Sequence, residues 1–285
     1  MVDRPGPCRH PVALNTDVGG AYSCMGPAWQ RGPMLVYGQL ARALVADCPG
    51  GVGGRRVLDL GAGTGAFSQA AHDAGASDVV AVDLSASMLV GIPSELRVAA
   101  AVGDAYRLPF AAGSFDVVGA AFSLNHLEDP APALVEARRV LRRGGALVVS
   151  AYASDDDHPA KAAAEAAAAA HGWRPAPWYE ALRTTAMPRL ATEADALAVA
   201  QNAGLDGAAA RHRRVTIVGL SAADLIAWRF GLVQLAPWLQ SLDEAERTAV
   251  GHDALDRLGE HPPALVRSMI TLAWSGRSAS GAEPL

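Results

Sequence analysis

Asp59, Asp83 and Asp104 are the residues of this chain best placed to do chemistry, because each falls at the end of an apolar run of strand type. Asp59 stands just before the run Gly61-Ala62-Gly63-Thr64-Gly65, which leads into a helical pattern. Glycines there permit dihedrals and a close backbone approach that a side chain forbids, and a helix opening after them presents unpaired N–H groups. Asp83 closes Asp78-Val79-Val80-Ala81-Val82-Asp83. It lies about 20 residues past the glycines, the separation at which a carboxylate meets a ribose, and its two oxygens can accept from both ribose hydroxyls. Asp104, in Gly103-Asp104-Ala105, follows a short third run and is placed to accept from the exocyclic amine of an adenine. Three acidic residues at three successive strand ends describe a nucleoside pocket. The glycines also satisfy G-x-G-x-x-G/A through Gly61, Gly63 and Ala66, so an NAD-dependent oxidoreductase is a competing reading.

Strands near 55–60, 78–83, 97–102, 114–122 and 145–152 alternate with helices near 65–74, 86–91 and 131–142. That alternation predicts an α/β fold built on a doubly wound, mostly parallel sheet, with ligands bound outside the carboxyl ends of the strands. Two further strands, near 208–219 and 265–275, bring the expected sheet to seven. A helix near 34–46 precedes the core, and another near 159–170 follows the acidic run Asp155-Asp156-Asp157, which is read as helix capping and not as a metal site. Trp173, Trp178 and Tyr179, among prolines, read as an ordered loop, and a helix near 192–203 follows. Ser221-Ala222-Ala223-Asp224 starts a helix that Gly231 and Pro237 should divide, and Ser241-Leu242-Asp243-Glu244 starts one to about 259. Asp116, in Gly113-Ser114-Phe115-Asp116, is read as a turn residue.

With Ser114-Phe115-Asp116-Val117-Val118, Phe122-Ser123-Leu124-Asn125-His126-Leu127 and the segment Glu136 to Leu147, the ordered set over 55–152 resembles the class I S-adenosylmethionine-dependent methyltransferases. It is most similar to the ubiquinone and menaquinone C-methyltransferase group, also called methyltransferase type 11. The resemblance implies a Rossmann-like methyltransferase fold with S-adenosylmethionine as donor and S-adenosylhomocysteine as product. It assigns Asp59, Gly61, Ala62, Gly63, Gly65, Asp83, Leu84, Met88, Asp104, Ala105 and Ser123 to the cofactor. His126, after the fourth strand, becomes the candidate general base, since an imidazole titrates near neutrality. It further implies three parts: an N-terminal lid and helix over 1–50 with Tyr22 and Trp29, a cofactor-binding core over 51–152, and a completed sheet with a helical acceptor cap over 153–285. The cap occupies about 153–190 and 221–260 and offers Trp178, Tyr179 and Trp228 to an acceptor. The expected activity is C- or O-methylation of a small molecule such as a specialised metabolite. Rival readings are C-methylation of an isoprenoid or prenyl diphosphate, and a protein that binds the cofactor without methyl transfer.

Composition narrows the remaining classes. A chain of 285 residues with 51% hydrophobic content has length enough for one large domain or one domain with a cap. A net charge of -5 argues against a nucleic-acid partner, because phosphate binding needs a basic footprint. No apolar run approaches membrane length, so no membrane partner is expected. Cys8, Cys24 and Cys48 are odd in number and lack metal spacing, which suits a reducing cytoplasm with neither disulfides nor zinc.

Overall fold

A computed structural model describes residue 22 and residues 25–276. The expectations for residues 1 to 20, and for Cys8 and Cys24, lie outside the described residues.

Strands β1 (Arg56–Leu60), β2 (Asp78–Asp83), β3 (Ala99–Val102), β4 (Phe115–Ala121), β5 (Leu141–Tyr152), β6 (Ala209–Thr216) and β7 (Val266–Ser275) form one sheet in the order β3-β2-β1-β4-β5-β7-β6. The first five pair in parallel, and β7 runs antiparallel to both neighbours. Asp59 on β1 is level with Ala81 of β2 and Gly119 of β4. Strand order therefore reverses between β1 and β4, and a crevice opens past their carboxyl ends. The central strands read as near-continuous apolar runs because helices cover both faces. Val57, Leu58 and Leu60 of β1 and Val117 and Val118 of β4 are buried.

One face packs on α2 (Pro33–Ala46) and α3 (Ala66–Asp73), which bury Leu44, Val45 and Phe67 against Val57, Val117 and Val148. The other packs on α5 (Ala131–Val140) and α8 (Glu193–Asn202), through Leu134, Ala137, Val199 and Ala200. A second core surrounds Trp228 and joins α1 (Gly26–Arg31), α2, α6 (Pro159–Ala170), α9 (Ala222–Phe230), α10 (Ala236–Ser241) and α11 (Glu244–Leu258). The alanines of α6 at 160, 163, 164, 167 and 168 are all buried there, so small side chains let its neighbours approach closely. The corner between α1 and α2 presses on α9: a Cβ at Gly32 would fall 2.2 Å from the Ala227 carbonyl oxygen.

Three local readings are corrected. Residues 177–190 are not a loop: α7 (Pro177–Ala181) continues through a wide helical turn to Ala186 and a tight one, Met187–Leu190. The acidic run does not cap α6. His158 does, accepting from the Ala160 N–H through Nδ1, while Asp156 pairs with Arg267 and Asp155 with His212. Ser241 likewise yields its capping role to Asp243, which forms a reciprocal box with Glu246 at the start of α11. The box at Ser221 and Asp224 forms as expected, and α9 stops at Gly231.

Candidate active site

The turn after β1 requires glycine. Gly61 has φ 71°, in the left-handed region, and a Cβ there would lie 2.3 Å from the Cβ of Ser123 on the loop after β4. Ser123 fixes that approach by donating to the Leu60 carbonyl at 2.7 Å. The amides of Gly61 and Ala62 both donate to the Val82 carbonyl, at 2.8 and 2.9 Å, and Gly65 N–H donates to Ala62. Gly63 N–H donates to Asp83 Oδ2 at 2.8 Å, and Ser85 N–H donates to Oδ1 of the same carboxylate at 2.8 Å. The turn thus spends its donors internally, and Asp83 is locked with one backbone bond on each oxygen and lone pairs to spare. Burial raises the Asp83 pKa, and the amides of Ser85, Gly63 and Leu84 offset part of that rise.

Asp59 is 1% exposed. Its Oδ2 accepts from the Ser68 amide at 2.9 Å and the Ser68 hydroxyl at 2.7 Å, while Oδ1 has no hydrogen-bond partner among the described residues. Burial pushes its pKa up to about 7, against the lowering effect of Ser68. A buried carboxylate with an unmatched oxygen favours a cationic ligand. Asp104 accepts from the Tyr106 amide at 2.9 Å. Asp116 serves structure, pairing with Arg142 at 2.8 Å and accepting from the Arg56 amide.

His126 sits half-buried beside this array. Its Nδ1 lies 3.2 Å from the Ser123 carbonyl, so that nitrogen carries the hydrogen, and Nε2, 3.2 Å from the Tyr22 hydroxyl, accepts from it. Burial pushes the imidazole pKa down to about 4, with the Ser123 bond opposing, so the ring is neutral at pH 7. The Tyr22 carbonyl in turn accepts from Ser85 and Ser87 hydroxyls at 3.4 and 3.3 Å, and Gln30 of α1 donates to the Gly91 carbonyl at 2.5 Å.

One cleft gathers Asp59, Gly61, Ala62, Gly63, Asp83, Leu84, Met88, Asp104, Ala105, Ser123 and His126 under Tyr22 and Trp29. Tyr37, Phe122 and Thr64 also line it; Phe122 and Thr64 lie within the sequence motifs without being expected at the site, and Tyr37 carries no signal. The rings run in contact: Tyr22 to Trp29 at 5.9 Å, Trp29 to Tyr37 at 5.0 Å and Tyr37 edge-on to Phe122 at 5.5 Å. Phe122 holds φ 53°, a costly backbone state for a bulky residue that points its ring into this stack. None of the described lining residues is Lys or Arg.

Four expected site residues lie elsewhere. Gly65 does not line the cleft; it precedes α3 with φ 86°. Trp228 is fully buried in the helical core, because its spacing with Leu225 and Leu232 faces that core. Trp178 and Tyr179 pack on each other at 5.7 Å, and Tyr179 is buried with Leu182 and Ala186. Among the described residues no three or more His, Cys, Asp or Glu side chains are grouped to hold a metal ion, and no helix is long and apolar enough to cross a membrane.

Residues 58–149 match the family model described as a methyltransferase domain. The chain is 47% identical over 113 residues to a demethylmenaquinone methyltransferase of Renibacterium salmoninarum, covering 39% of this chain and 47% of that one. It is 43% identical over 117 residues to the protein of that name from Beutenbergia cavernae, covering 41% and 48%. The matched stretch spans about half the length of these relatives. Among solved structures, a Haemonchus contortus phosphoethanolamine N-methyltransferase 2 bound to S-adenosyl-L-methionine aligns with TM-score 0.52 and 18% identity, over 84% of this chain and 52% of that one. A SAM-dependent methyltransferase from Thermotoga maritima aligns with TM-score 0.51 and 16% identity, over 87% and 93%. These likenesses show the fold.

Proposed function

We propose that this chain, which carries a class I methyltransferase domain over residues 58–149, binds S-adenosylmethionine in the cleft and moves its methyl group to a small molecule. The observation that carries this reading is the pairing of Asp59, with its unmatched buried oxygen, and Asp83, with an anchored carboxylate, at the point where strand order reverses. Asp59 would take the ligand's ammonium, Asp83 the ribose hydroxyls and Asp104 the adenine amine, with Leu84, Ala105 and Met88 against the base. The rings of Tyr22, Trp29, Tyr37 and Phe122 suit a sulfonium, which aromatic faces attract.

When bound, the cofactor supplies an activated methyl carbon open to in-line displacement. The chain's own contribution is alignment, exclusion of water by the Tyr22 and Trp29 cover, and custody of a proton. Neutral His126 can receive one at Nε2, with Tyr22 passing its own hydroxyl proton inward as it takes one from the acceptor. The ring-lined cleft, with a neutral imidazole beside the Tyr22 hydroxyl, supports C- or O-methylation of a largely apolar small molecule, such as a specialised metabolite.

The rival readings fit less well. A diphosphate acceptor calls for basic residues, which the described lining does not offer. A dinucleotide pyrophosphate needs amide donors from the turn, but those of Gly61, Ala62, Gly63 and Gly65 are already bonded. A buried, reduced Cys48 suits the cytoplasm as the place of reaction. Incubation with methyl-labelled S-adenosylmethionine and an extract of producing cells, followed by mass spectrometry, tests the activity. A labelled small molecule is expected. Label appearing nowhere, or only on macromolecules, would overturn the proposal.

A further inference from the structure

Outside the residues that match the domain family, the chain buries two arginines. Arg229 on α9 is 5% exposed and Arg267 on β7 is 3% exposed. A guanidinium cannot shed its charge, so burial demands acceptors for its five N–H donors. Each has one carboxylate: Arg267 Nη2 lies 2.5 Å from Asp156 Oδ2, and Arg229 Nη2 lies 2.9 Å from Glu165 Oε1. Both Nε donors, and the indole Nε1 of Trp228 between them, are buried with no hydrogen-bond partner among the described residues. The three side chains form one cluster, with the Arg267 guanidinium 4.6 Å and that of Arg229 5.2 Å from the Trp228 ring.

This cluster abuts the cleft. The Arg267 guanidinium lies 4.3 Å from the ring of Tyr152, which sits 4.5 Å from Phe122 and 6.1 Å from Tyr37, and both of these line the cleft. Two successive rings, Tyr152 and then Phe122 or Tyr37, therefore separate Arg267 from the space where an acceptor would lie.

We propose that Arg229 and Arg267, with the Trp228 indole N–H, form an anchoring site for a carboxylate carried by the acceptor, reached as the Tyr37, Phe122 and Tyr152 rings turn aside. The inference rests on the function proposed above and adds the substrate class: an organic acid with an apolar body. Planar guanidinium forks match a planar carboxylate. A monoanion also suits the cluster better than a phosphate dianion, because Asp156 and Glu165 already supply two negative charges there. The arginines lie beyond residue 149, outside the segment that matches the methyltransferase domain model.

The test uses the full chain saturated with S-adenosylhomocysteine, titrated by calorimetry with benzoate, 3-phenylpropionate and decanoate and with the matching neutral amides. At least one acid should bind 10-fold or more tightly than its amide. Arg229→Met should abolish that preference, Arg229→Lys should keep part of it, and neither should alter S-adenosylhomocysteine affinity. Glu165 is partly exposed, so loss of Arg229 leaves it in reach of water, and a thermal melt verifies folding. Equal binding of acid and amide, no saturable acid binding, or a preference that survives in folded Arg229→Met overturns the inference. Failure of the wild-type chain to bind S-adenosylhomocysteine removes the cofactor reading and this inference together, whereas normal binding without an acid preference removes this one alone.

Discussion

Replacing Asp59 by Asn separates what the buried carboxylate costs the fold from what it gives the ligand. Its pKa stands at about 7 in the folded chain, against 3.8 for an unburied aspartate. The folded state therefore holds the proton more tightly than the unfolded state. Stability from this group is complete below about pH 4 and is lost as pH rises through about 7. At 1.36 kcal/mol for each pKa unit the loss is about 4 kcal/mol, and relaxation around the charge reduces it to roughly 2–4. An asparagine oxygen can keep both Ser68 bonds, so Asp59→Asn should be more stable than the wild type at pH 8.5 by that amount and nearly equal to it at pH 4.5. His126 contributes the opposite slope, since burial lowers its pKa and its contribution is lost as pH falls from about 6.5 to about 4. It is present in both proteins and cancels in the difference. Urea unfolding of the ligand-free chains at the two pH values measures this, and calorimetry with S-adenosylhomocysteine measures the other half. Wild-type affinity should rise as Asp59 ionises between pH 6 and 8, and the variant should lose that rise, binding about 1.5–3 kcal/mol more weakly at pH 8. Equal stability differences at pH 4.5 and 8.5, or an unchanged affinity profile, would refute the reasoning.

Asp83→Ala should weaken S-adenosylhomocysteine binding by about 1.5–3 kcal/mol, the range for hydrogen bonds to a charged group, with the melt showing an intact fold. Unchanged affinity would remove Asp83 from the ribose position. His126→Ala should lower turnover about 10²-fold with little change in cofactor affinity, and Tyr22→Phe should do likewise if the phenol passes the proton on. Near-normal turnover in both would leave positioning as the whole of the catalysis. Hydrogen exchange at the amides of α1 should slow when S-adenosylhomocysteine and acceptor are present, since the α1 segment and Tyr22 meet the core through side-chain hydrogen bonds to Ser85, Ser87 and Gly91. Equal exchange in both states would make the segment a static cover.

The half of the cleft around the glycine turn was legible because its chemistry is local. A strand, a glycine turn and a helix follow one another in the chain, and each carboxylate marks its own strand end, so Asp59, Asp83 and Asp104 could be placed without tertiary information. Periodicity also found the sheet's strands and most helices to within about four residues, but missed the helical runs Gly26–Arg31 and Pro177 to Leu190. The ring-lined side of the cleft is assembled from distant segments. Tyr37 sits in a helix whose apolar period reads as a sheet cover, and Phe122 owes its direction to a positive φ that no residue type announces. Trp228 shows the converse limit: helical spacing cannot tell an aromatic that faces a pocket from one that faces a core, and its ring is buried among the helices. The acidic run before α6 misled because a carboxylate near a helix start suggests a cap, whereas Asp156 pays for the buried charge of Arg267 111 positions away in sequence. Burial of that arginine depends on packing among α6, α9 and β7, and nothing local signals it.

The central claim, that the cleft is a site for S-adenosylmethionine and not for a dinucleotide, is tested most directly by calorimetric titration of the purified chain with S-adenosylhomocysteine and, separately, with NAD. The account predicts saturable binding of one S-adenosylhomocysteine per chain and no heat of binding from NAD. Saturable binding of NAD with no response to S-adenosylhomocysteine would contradict it.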